Sequence, residues 1–178
     1  TGLVRRKTIA WGNRLIVSKG THLLSTSEKL IQEQGFGSTL ETGRLKCRAL
    51  HCGFDPARFQ GARAGAGAAV RQEFNFPAES PILLFVGRLD SHEDDALNQK
   101  NPGFCLEVAR VCAARRQDFR CLLAGGGESM RLRLEARVQA WGLEKHILLI
   151  GHRADVPRLM LGADALLLPS LGEGLGMV

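Results

Sequence analysis

The ten residues at positions 169–178, PSLGEGLGMV, have the composition of a turn that binds a ligand through its backbone. Glycine allows the backbone to approach a ligand closely. The helical turn predicted after Gly174 would add free N–H groups and the positive end of a helix dipole, which attract phosphate. Glu173 would repel a ligand made of phosphate alone, so its carboxylate indicates a ligand that also has hydroxyl groups, such as a sugar nucleotide.

Two cations, Arg88 and Lys100, follow another apolar run, ILLFV at positions 82–86. A diphosphate needs fixed positive charge, both to bind and to stabilise the negative charge that grows on it as a leaving group. Ordinary surface cations are the alternative interpretation, because twelve positions separate the two residues.

Strands and helices alternate from Pro81 onward, and this order predicts the sheet that would position these residues. Apolar runs predict strands at residues 82–86, 119–124, 146–150 and 164–168. Helices are predicted at residues 102–116, 128–141 and 156–162. We therefore predict an α/β fold with a Rossmann-like, doubly wound parallel sheet. Ligands bind such sheets outside the carboxyl ends of the strands. The loops to consider follow Val86, Ala124, Ile150 and Leu168.

Two of these helices begin at residues typical of helix starts. Asn101-Pro102 should cap and open the first, and Asp155 is expected to cap the third rather than to act as a catalyst. The apolar residues of the first helix share one face, as in a helix that packs on a core. They are Phe104, Val108, Val111 and Cys112.

The glycine triplet at residues 125–127 follows the second predicted strand. By itself it is a weak signal, and a tight strand-to-helix turn would explain it as well as a ligand site would. Its spacing is not GxGxxG, which argues against NAD. His152, in the next loop, is interpreted as an ordinary loop residue rather than a catalytic base.

The part of the chain before Pro81 is organised differently. Residues 1–19 are expected to be helical or irregular. A strand is predicted at residues 21–26, then a helix from Glu28 to Gln34 capped by Ser27, and a second strand at residues 46–51. Turn residues and a Gly/Ala-rich run follow, which predict either a linker or a short helix leading into a new domain. We divide the chain into residues 1–52, a connector at 53–80, and residues 81–178.

Charge and cysteine content constrain the partners and the compartment. The net charge of +6 lies wholly in residues 1–60, which hold ten Lys and Arg against four Asp and Glu. A solvated helix face explains it, and peripheral contact with an anionic membrane is the alternative. Basic residues are not interleaved with aromatic residues, so the pattern gives no support for nucleic-acid binding.

The five cysteines lack CxxC spacing, which favours reduced, mostly buried thiols in a cytoplasmic protein without a zinc site. Neither a spanning segment nor a secretory leader is visible.

The PSLxEGLG motif resembles the donor-sugar loop of retaining GT-B glycosyltransferases of family 4. The family has a second Glu eight positions after the first, which here falls three residues beyond Val178. The resemblance therefore implies a truncated GT-B sheet that is inactive alone. In the connector, Gly53, Asp55 and Phe59 fit the family pattern, while Cys52 stands where the family usually has Asn.

The resemblance implies roles for residues in all four loops. Gly87, Arg88 and Lys100 would hold the donor diphosphate, although the family places its Lys about five residues after the Arg. Residues 91–98 look like an acidic insertion, which we expect to loop out at little entropic cost. Gly125 and Gly127 would line the donor cleft, and Arg153 would contact the base through its backbone or by stacking. Glu173 would accept hydrogen bonds from the sugar, while Gly174, Leu175 and Gly176 would donate backbone N–H groups.

The function implied is transfer of a hexose from a nucleotide-diphosphate sugar to a glycan or lipid-linked acceptor, with retention. Arg88, Lys100 and Glu173 would be the catalytic residues, and neither a cofactor nor a metal is expected. A nucleotide-sugar epimerase of the same fold is one alternative. A non-catalytic nucleotide-sugar-binding scaffold is the other.

Overall fold

The computed structural model describes residues 2–34, 36, 46–59, 65–89, 99–172 and 178, with no side-chain description before Trp11. The chain forms two compact units. One is built from the residues up to Phe54 and the other from Asp55–Gly172. Among the described residues, no helix is both long enough and apolar enough to cross a lipid bilayer.

The first unit contains two helices and a two-stranded parallel sheet. Its elements are α1 (Gly2–Lys19), β1 (His22–Ser25), α2 (Glu28–Glu33) and β2 (Lys46–Ala49). The backbone N–H of Leu30 donates to Ser27 Oγ at 3.1 Å, which confirms the predicted cap of α2. Ile31 and Phe36 form a small core. The predicted end of α2 at Gly35 and Gly37 lies outside the described residues.

The second unit is a four-stranded parallel sheet with helices on both faces. Its elements are a 3-10 helix (Pro56–Phe59), α3 (Ala66–Glu73), β3 (Ile82–Val86), α4 (Pro102–Ala113), β4 (Arg120–Ala124), α5 (Glu128–Ala140), β5 (Ile147–Gly151), α6 (Val156–Gly162) and β6 (Ala165–Leu167). These bounds confirm the predicted strands and helices to within three residues at each end.

The strand order β5-β4-β3-β6 makes β3 the point where the winding reverses. The chain moves outward from β3 through β4 to β5, and then returns to place β6 on the other side of β3. The prediction of a doubly wound sheet is therefore confirmed. In such sheets the ligand crevice lies at this reversal, outside the carboxyl ends of the strands.

Alternate residues of the strands feed two separate cores, as expected for a sheet covered on both faces. Phe85 and Leu123 point into the core beneath α4 and α5. Leu84 and Leu122 point to the opposite face, where they pack with Val70 of α3 and with α6.

α3 settles the choice between a linker and a short helix for the Gly/Ala-rich run. It packs against α6 at very short range, because a Cβ on Gly162 would lie 2.6 Å from Val70 Cγ2 and 2.8 Å from the carbonyl oxygen of Ala66. Glycine at position 162 therefore brings the connector helix onto the sheet layer.

The predicted core face of α4 is wrong. Phe104 is 54% exposed and Val111 is 50% exposed, whereas Cys105, Leu106 and Ala109 are fully buried. Both sets of residues recur at helical spacing, so periodicity alone does not distinguish them. Packing against the sheet selects the face that carries Cys105, Leu106 and Ala109. The helix also ends at Ala113 rather than near Arg116.

All five cysteines are free thiols, as predicted, but they are not mostly buried. Cys105 and Cys121 are buried, Cys47 and Cys112 are half-buried, and Cys52 is exposed. Burial raises the pKa of the Cys105 thiol to about 12, so that thiol remains protonated.

The corrected face of α4 is tested by a matched pair of truncations. Leu106→Ala should lower the free energy of unfolding by about 2–5 kcal/mol, because it leaves a cavity in the core. Val111→Ala should change it by less than about 0.5 kcal/mol, because the side chain is half exposed. Urea unfolding of both variants measures the difference, and equal losses would contradict the assignment.

Candidate functional site

A pocket of about 290 Å³ opens at the carboxyl ends of β3, β4 and β5. The loops after these three strands and the start of α4 supply its walls. The residues that line it are Val86, Gly87, Arg88, Lys100, Ala124, Gly125, Gly126, His152, Arg153, Val156 and Val178. Its position at the reversal of the strand order is where a doubly wound sheet binds its ligand.

The floor of the pocket is backbone, and glycine makes this possible. The N–H of Gly87 donates to the carbonyl of Ala124 at 3.0 Å, and the N–H of Leu89 donates to Gly126 at 2.8 Å. A Cβ on Gly125 would lie 1.9 Å from the carbonyl oxygen of Gly87. The loops after β3 and β4 therefore continue the pairing of the two strands beyond the sheet.

Position 127 requires glycine for a structural reason that does not involve the pocket. Its φ of +135° disfavours any residue with a Cβ, and a Cβ there would lie 1.6 Å from the carbonyl oxygen of Leu89. The structure places Gly127 beside the pocket rather than among its lining residues. The triplet is thus a tight strand-to-helix turn, and Gly125 and Gly126 also line the pocket.

The structure brings Arg88 and Lys100 to the same pocket despite the long stretch between them. A Cβ on Gly87 would lie 3.5 Å from Lys100 Cβ, so the chain comes back beside Gly87 before α4 begins. Residues 90–98, which include the acidic stretch, lie outside the described residues.

The start of α4 is joined to the loop after β6. Asn101 occupies the N-cap position and Pro102 opens the helix, as predicted, but Asn101 has a φ of +48° and its side chain makes no capping hydrogen bond. Its Nδ2 instead donates to the carbonyl of Pro169 at 3.3 Å, and the N–H of Leu171 donates to Gln99 at 2.9 Å. These bonds hold the Gly-rich loop, as far as Gly172, beside the residue that precedes Lys100.

The predicted sugar-binding residues Glu173, Gly174, Leu175 and Gly176 lie outside the described residues. Their roles therefore stay predictions.

Arg153 lines the pocket, but its guanidinium is engaged by two carboxylates. Its Nε lies 2.8 Å from Asp155 Oδ1, and its Nη1 lies 2.8 Å from Glu73 Oε1. The guanidinium also lies 5.9 Å from the centre of the Phe74 ring. The hydrogen bond to Asp155, followed by that to Glu73, raises the pKa of Arg153.

Asp155 occupies the N-cap position of α6, as predicted, but its side chain makes no capping hydrogen bond. Its carboxylate accepts hydrogen bonds from Arg153 and from Arg158 Nε, the latter at 2.9 Å. Charge-assisted bonds to two guanidinium groups are stronger than one to a neutral backbone N–H. The bond from Arg153 holds the pKa of Asp155 well below its usual range.

Sequence reasoning missed Glu73, Phe74 and Arg158, all of which surround Arg153. Arg158 was detectable, since it lies three positions after Asp155 on the helix and could pair with it. Glu73 and Phe74 carry no such signal, because they lie about eighty residues away along the chain. Among the residues that the structure describes, no group of three His, Cys, Asp or Glu side chains could hold a metal ion.

The two pocket glycines offer a matched test of the loop contact. Gly125→Ala should lower the free energy of unfolding by about 1–3 kcal/mol or more, because its Cβ would collide with backbone rather than with a flexible side chain. Gly126→Ala should be close to neutral, since its nearest neighbour would be His152 Cβ at 3.8 Å. Thermal or urea unfolding of the two variants distinguishes them. A neutral Gly125→Ala would mean that the loops do not touch.

Several known proteins are similar to this chain. A 2-deoxystreptamine glucosyltransferase of Streptomyces kanamyceticus is 31% identical over 125 residues, which is 68% of this chain and 30% of that protein. The UDP-Gal:alpha-D-GlcNAc-diphosphoundecaprenol alpha-1,3-galactosyltransferase of Escherichia coli is 35% identical over 97 residues, 53% of this chain and 23% of that protein. The chain thus spans less than a third of each of these relatives.

Solved structures show the same fold at lower sequence identity. Anabaena HepE, crystallised with UDP and glucose, superposes with a TM-score of 0.69 at 17% identity, over 90% of this chain and 41% of that one. WaaG, a glycosyltransferase involved in lipopolysaccharide biosynthesis, superposes with a TM-score of 0.66 at 22% identity, over 85% and 39%. The predicted Rossmann-like sheet of the GT-B type is confirmed by these likenesses.

The sequence pattern of one family matches residues 80–178, which are more than half of the chain and include all of the residues that line the pocket. The chain therefore belongs to the family described as Glycosyl transferases group 1.

Proposed function

We propose that the pocket binds a nucleotide-diphosphate sugar, and that the whole protein transfers the hexose to a hydroxyl of a glycan or lipid-linked acceptor. The observation that carries this proposal is the meeting of Arg88 and Lys100 in one pocket with a backbone floor at the reversal of the sheet. A diphosphate can lie against the close-packed backbone of Gly87 and Gly125 while the two cations neutralise its charge.

The relatives support a nucleoside diphosphate as the ligand. HepE has been crystallised with UDP and with UDP-glucose, and the catalytic domain of starch synthase IV from Arabidopsis thaliana is known bound to ADP and acarbose. The E. coli relative is named for a UDP-sugar donor and a diphosphoundecaprenol-linked acceptor. Transfer to a glycan or lipid-linked acceptor is the proposal that fits these names.

The loop after β5 is proposed to receive the base. The carboxylates of Glu73 and Asp155 occupy the edges of the Arg153 guanidinium, whereas stacking uses its faces. Stacking on the base and contact through the backbone of Arg153 both remain compatible with this geometry. Phe74, which does not line the pocket, lies against the same guanidinium.

The sugar is proposed to lie towards the loop after β6. Glu173 would accept hydrogen bonds from the sugar hydroxyls, and Gly174, Leu175 and Gly176 would donate N–H groups to the sugar or the diphosphate. The anchoring of Leu171 to Gln99 supports this placement, because it brings the start of the Gly-rich loop beside Lys100.

The chemical role of the two cations is to stabilise the departing diphosphate. Negative charge grows on that group as the bond to the sugar breaks, and fixed cations stabilise it without reorganising. We propose that Arg88 and Lys100 supply this charge themselves, so that transfer requires no divalent metal. Retention of the anomeric configuration is part of the same proposal, by the resemblance of the PSLxEGLG motif to the retaining family.

The domain arrangement is also a proposal. Residues 1–52 would be the end of an acceptor-side domain, and residues 81–178 would form the donor-side domain. Residues 53–80 would connect these two domains. Peripheral contact between the basic first third and an anionic membrane would bring a lipid-linked acceptor within reach.

The diphosphate site is tested by nucleotide binding. UDP, ADP, GDP and NAD are titrated calorimetrically, and one nucleoside diphosphate should bind while NAD should not. Arg88→Ala and Lys100→Ala should each weaken that binding about tenfold or more, because each removes a charge-assisted bond to phosphate.

Arg115→Ala is the matched control, since Arg115 is an exposed cation just beyond the end of α4, at the opposite edge of the sheet. Its binding should equal that of the unaltered protein. Binding of NAD alone, or equal affinity in all variants, would contradict the proposed site.

The course of the reaction is tested with a full-length enzyme that carries this domain. UDP-glucose or UDP-galactose and GlcNAc-diphosphoundecaprenol serve as substrates, and proton NMR gives the anomeric configuration of the product. We expect an α-linkage, undiminished transfer in EDTA, and a turnover about 10²-fold lower in Arg88→Ala. A β-linked product would exclude retention, and loss of transfer in EDTA would exclude the metal-independent route.

A further inference from the structure

A closed ring of four charged side chains adjoins the pocket through Arg153, which lines it. Arg153, Asp155 and Arg158 belong to one short segment, at the end of the β5 loop and the start of α6, while Glu73 comes from α3. Glu73 binds Arg153 at 2.8 Å and also binds Arg158. Asp155 binds the same two guanidinium groups, at 2.8 Å each.

The ring is neutral and about two-thirds buried. Its four side chains are 24–36% exposed, so its electrostatic interactions are screened less than those of a fully exposed pair. The bond from Arg158, followed by that from Arg153, holds the pKa of Glu73 below its usual range. All four groups are therefore charged at neutral pH, and removing Glu73 leaves two guanidinium groups to share one carboxylate.

Glu73 is the member of the ring that comes from a distant part of the chain. α3 has a separate attachment at the opposite edge of the sheet, where Arg71 binds Asp164 at 2.9 Å and donates to the carbonyl of Ser80 at 3.0 Å. The two attachments of α3 thus have different neighbours. Arg71 contacts residues that adjoin the amino ends of β3 and β6, whereas Glu73 contacts a residue of the pocket wall.

We propose that Glu73 is a positioning residue for nucleotide binding, because it holds Arg153 and the loop after β5 in place from the connector helix. The inference rests on the proposed function of the pocket and adds to it. If it is correct, the affinity for the nucleoside part of the ligand depends on Glu73, although Glu73 does not line the pocket. The diphosphate part, held by Arg88 and Lys100, should be independent of Glu73.

Calorimetric titration with UDP, ADP, GDP and inorganic pyrophosphate tests this separation. Glu73→Gln should weaken binding of the preferred nucleoside diphosphate about fivefold or more, because the charge-assisted contact that holds Arg153 is lost. Its affinity for pyrophosphate should stay within about twofold, since the cations at the other wall are unchanged. Glu73→Asp keeps the charge and draws the carboxylate back by one methylene, so it should shift the affinities in the same direction.

Arg71→Ala is the control, because it removes the other attachment of α3 without touching the ring. It should lower the melting temperature while both affinities stay unchanged. The inference fails if Glu73→Gln and Glu73→Asp bind the nucleotide as tightly as the unaltered protein. It also fails if the Glu73 variants bind pyrophosphate more weakly to the same degree. A loss of nucleotide affinity in Arg71→Ala equal to that in Glu73→Gln would contradict it as well.

The same titrations separate this inference from the function on which it rests. If the unaltered protein binds no nucleoside diphosphate, the proposed function is wrong and the inference falls with it. If the unaltered protein binds one and the Glu73 variants bind it equally well, only the inference is wrong. Should Glu73→Gln fail to fold, Glu73→Asp with its retained charge decides the question.

Discussion

The contact between the loops after β3 and β4 is the constraint on which the pocket depends. Two backbone hydrogen bonds, from Gly87 to Ala124 and from Leu89 to Gly126, extend the pairing of the central strands past the edge of the sheet. Only residues without a Cβ fit at positions 125 and 127, because carbonyl oxygens of the other loop occupy that space. Arg88 lies between the two donors, so its backbone is held on both sides, and its side chain is exposed.

The winding of the sheet explains why distant residues meet there. β3 lies between β4 and β6, so the loops after all three strands open at one edge. α4 must begin at that edge in order to run back along the sheet to the start of β4, and the residues just before it therefore bring Lys100 to Arg88. The bond from Asn101 to Pro169 joins this start to the loop after β6.

Two arginines near the pocket are bound by carboxylates, one of which comes from a distant part of the sequence. Arg153 and Arg158 are neutralised by Glu73 and Asp155, and they work as part of the scaffold. Arg88 and Lys100 line the pocket, where the diphosphate is proposed to lie. Isolated ion pairs at a surface contribute little stability. The ring around Arg153 matters for geometry, because it fixes where a planar guanidinium lies.

The sequence by itself determined the elements of the second unit from β3 onward and the edge of the sheet where the candidate site lies. These features follow from local rules, since apolar periodicity and turn residues act over a few neighbouring positions. Only the tertiary structure decided which apolar face of α4 is buried, what Asn101 and Asp155 bind, and that Glu73 reaches Arg153. Each of these outcomes depends on a partner brought close by folding: the sheet under α4, the carbonyl of Pro169, and a guanidinium some eighty residues away. A side chain that could satisfy several partners takes the strongest one within reach, and the chain order does not reveal which that is.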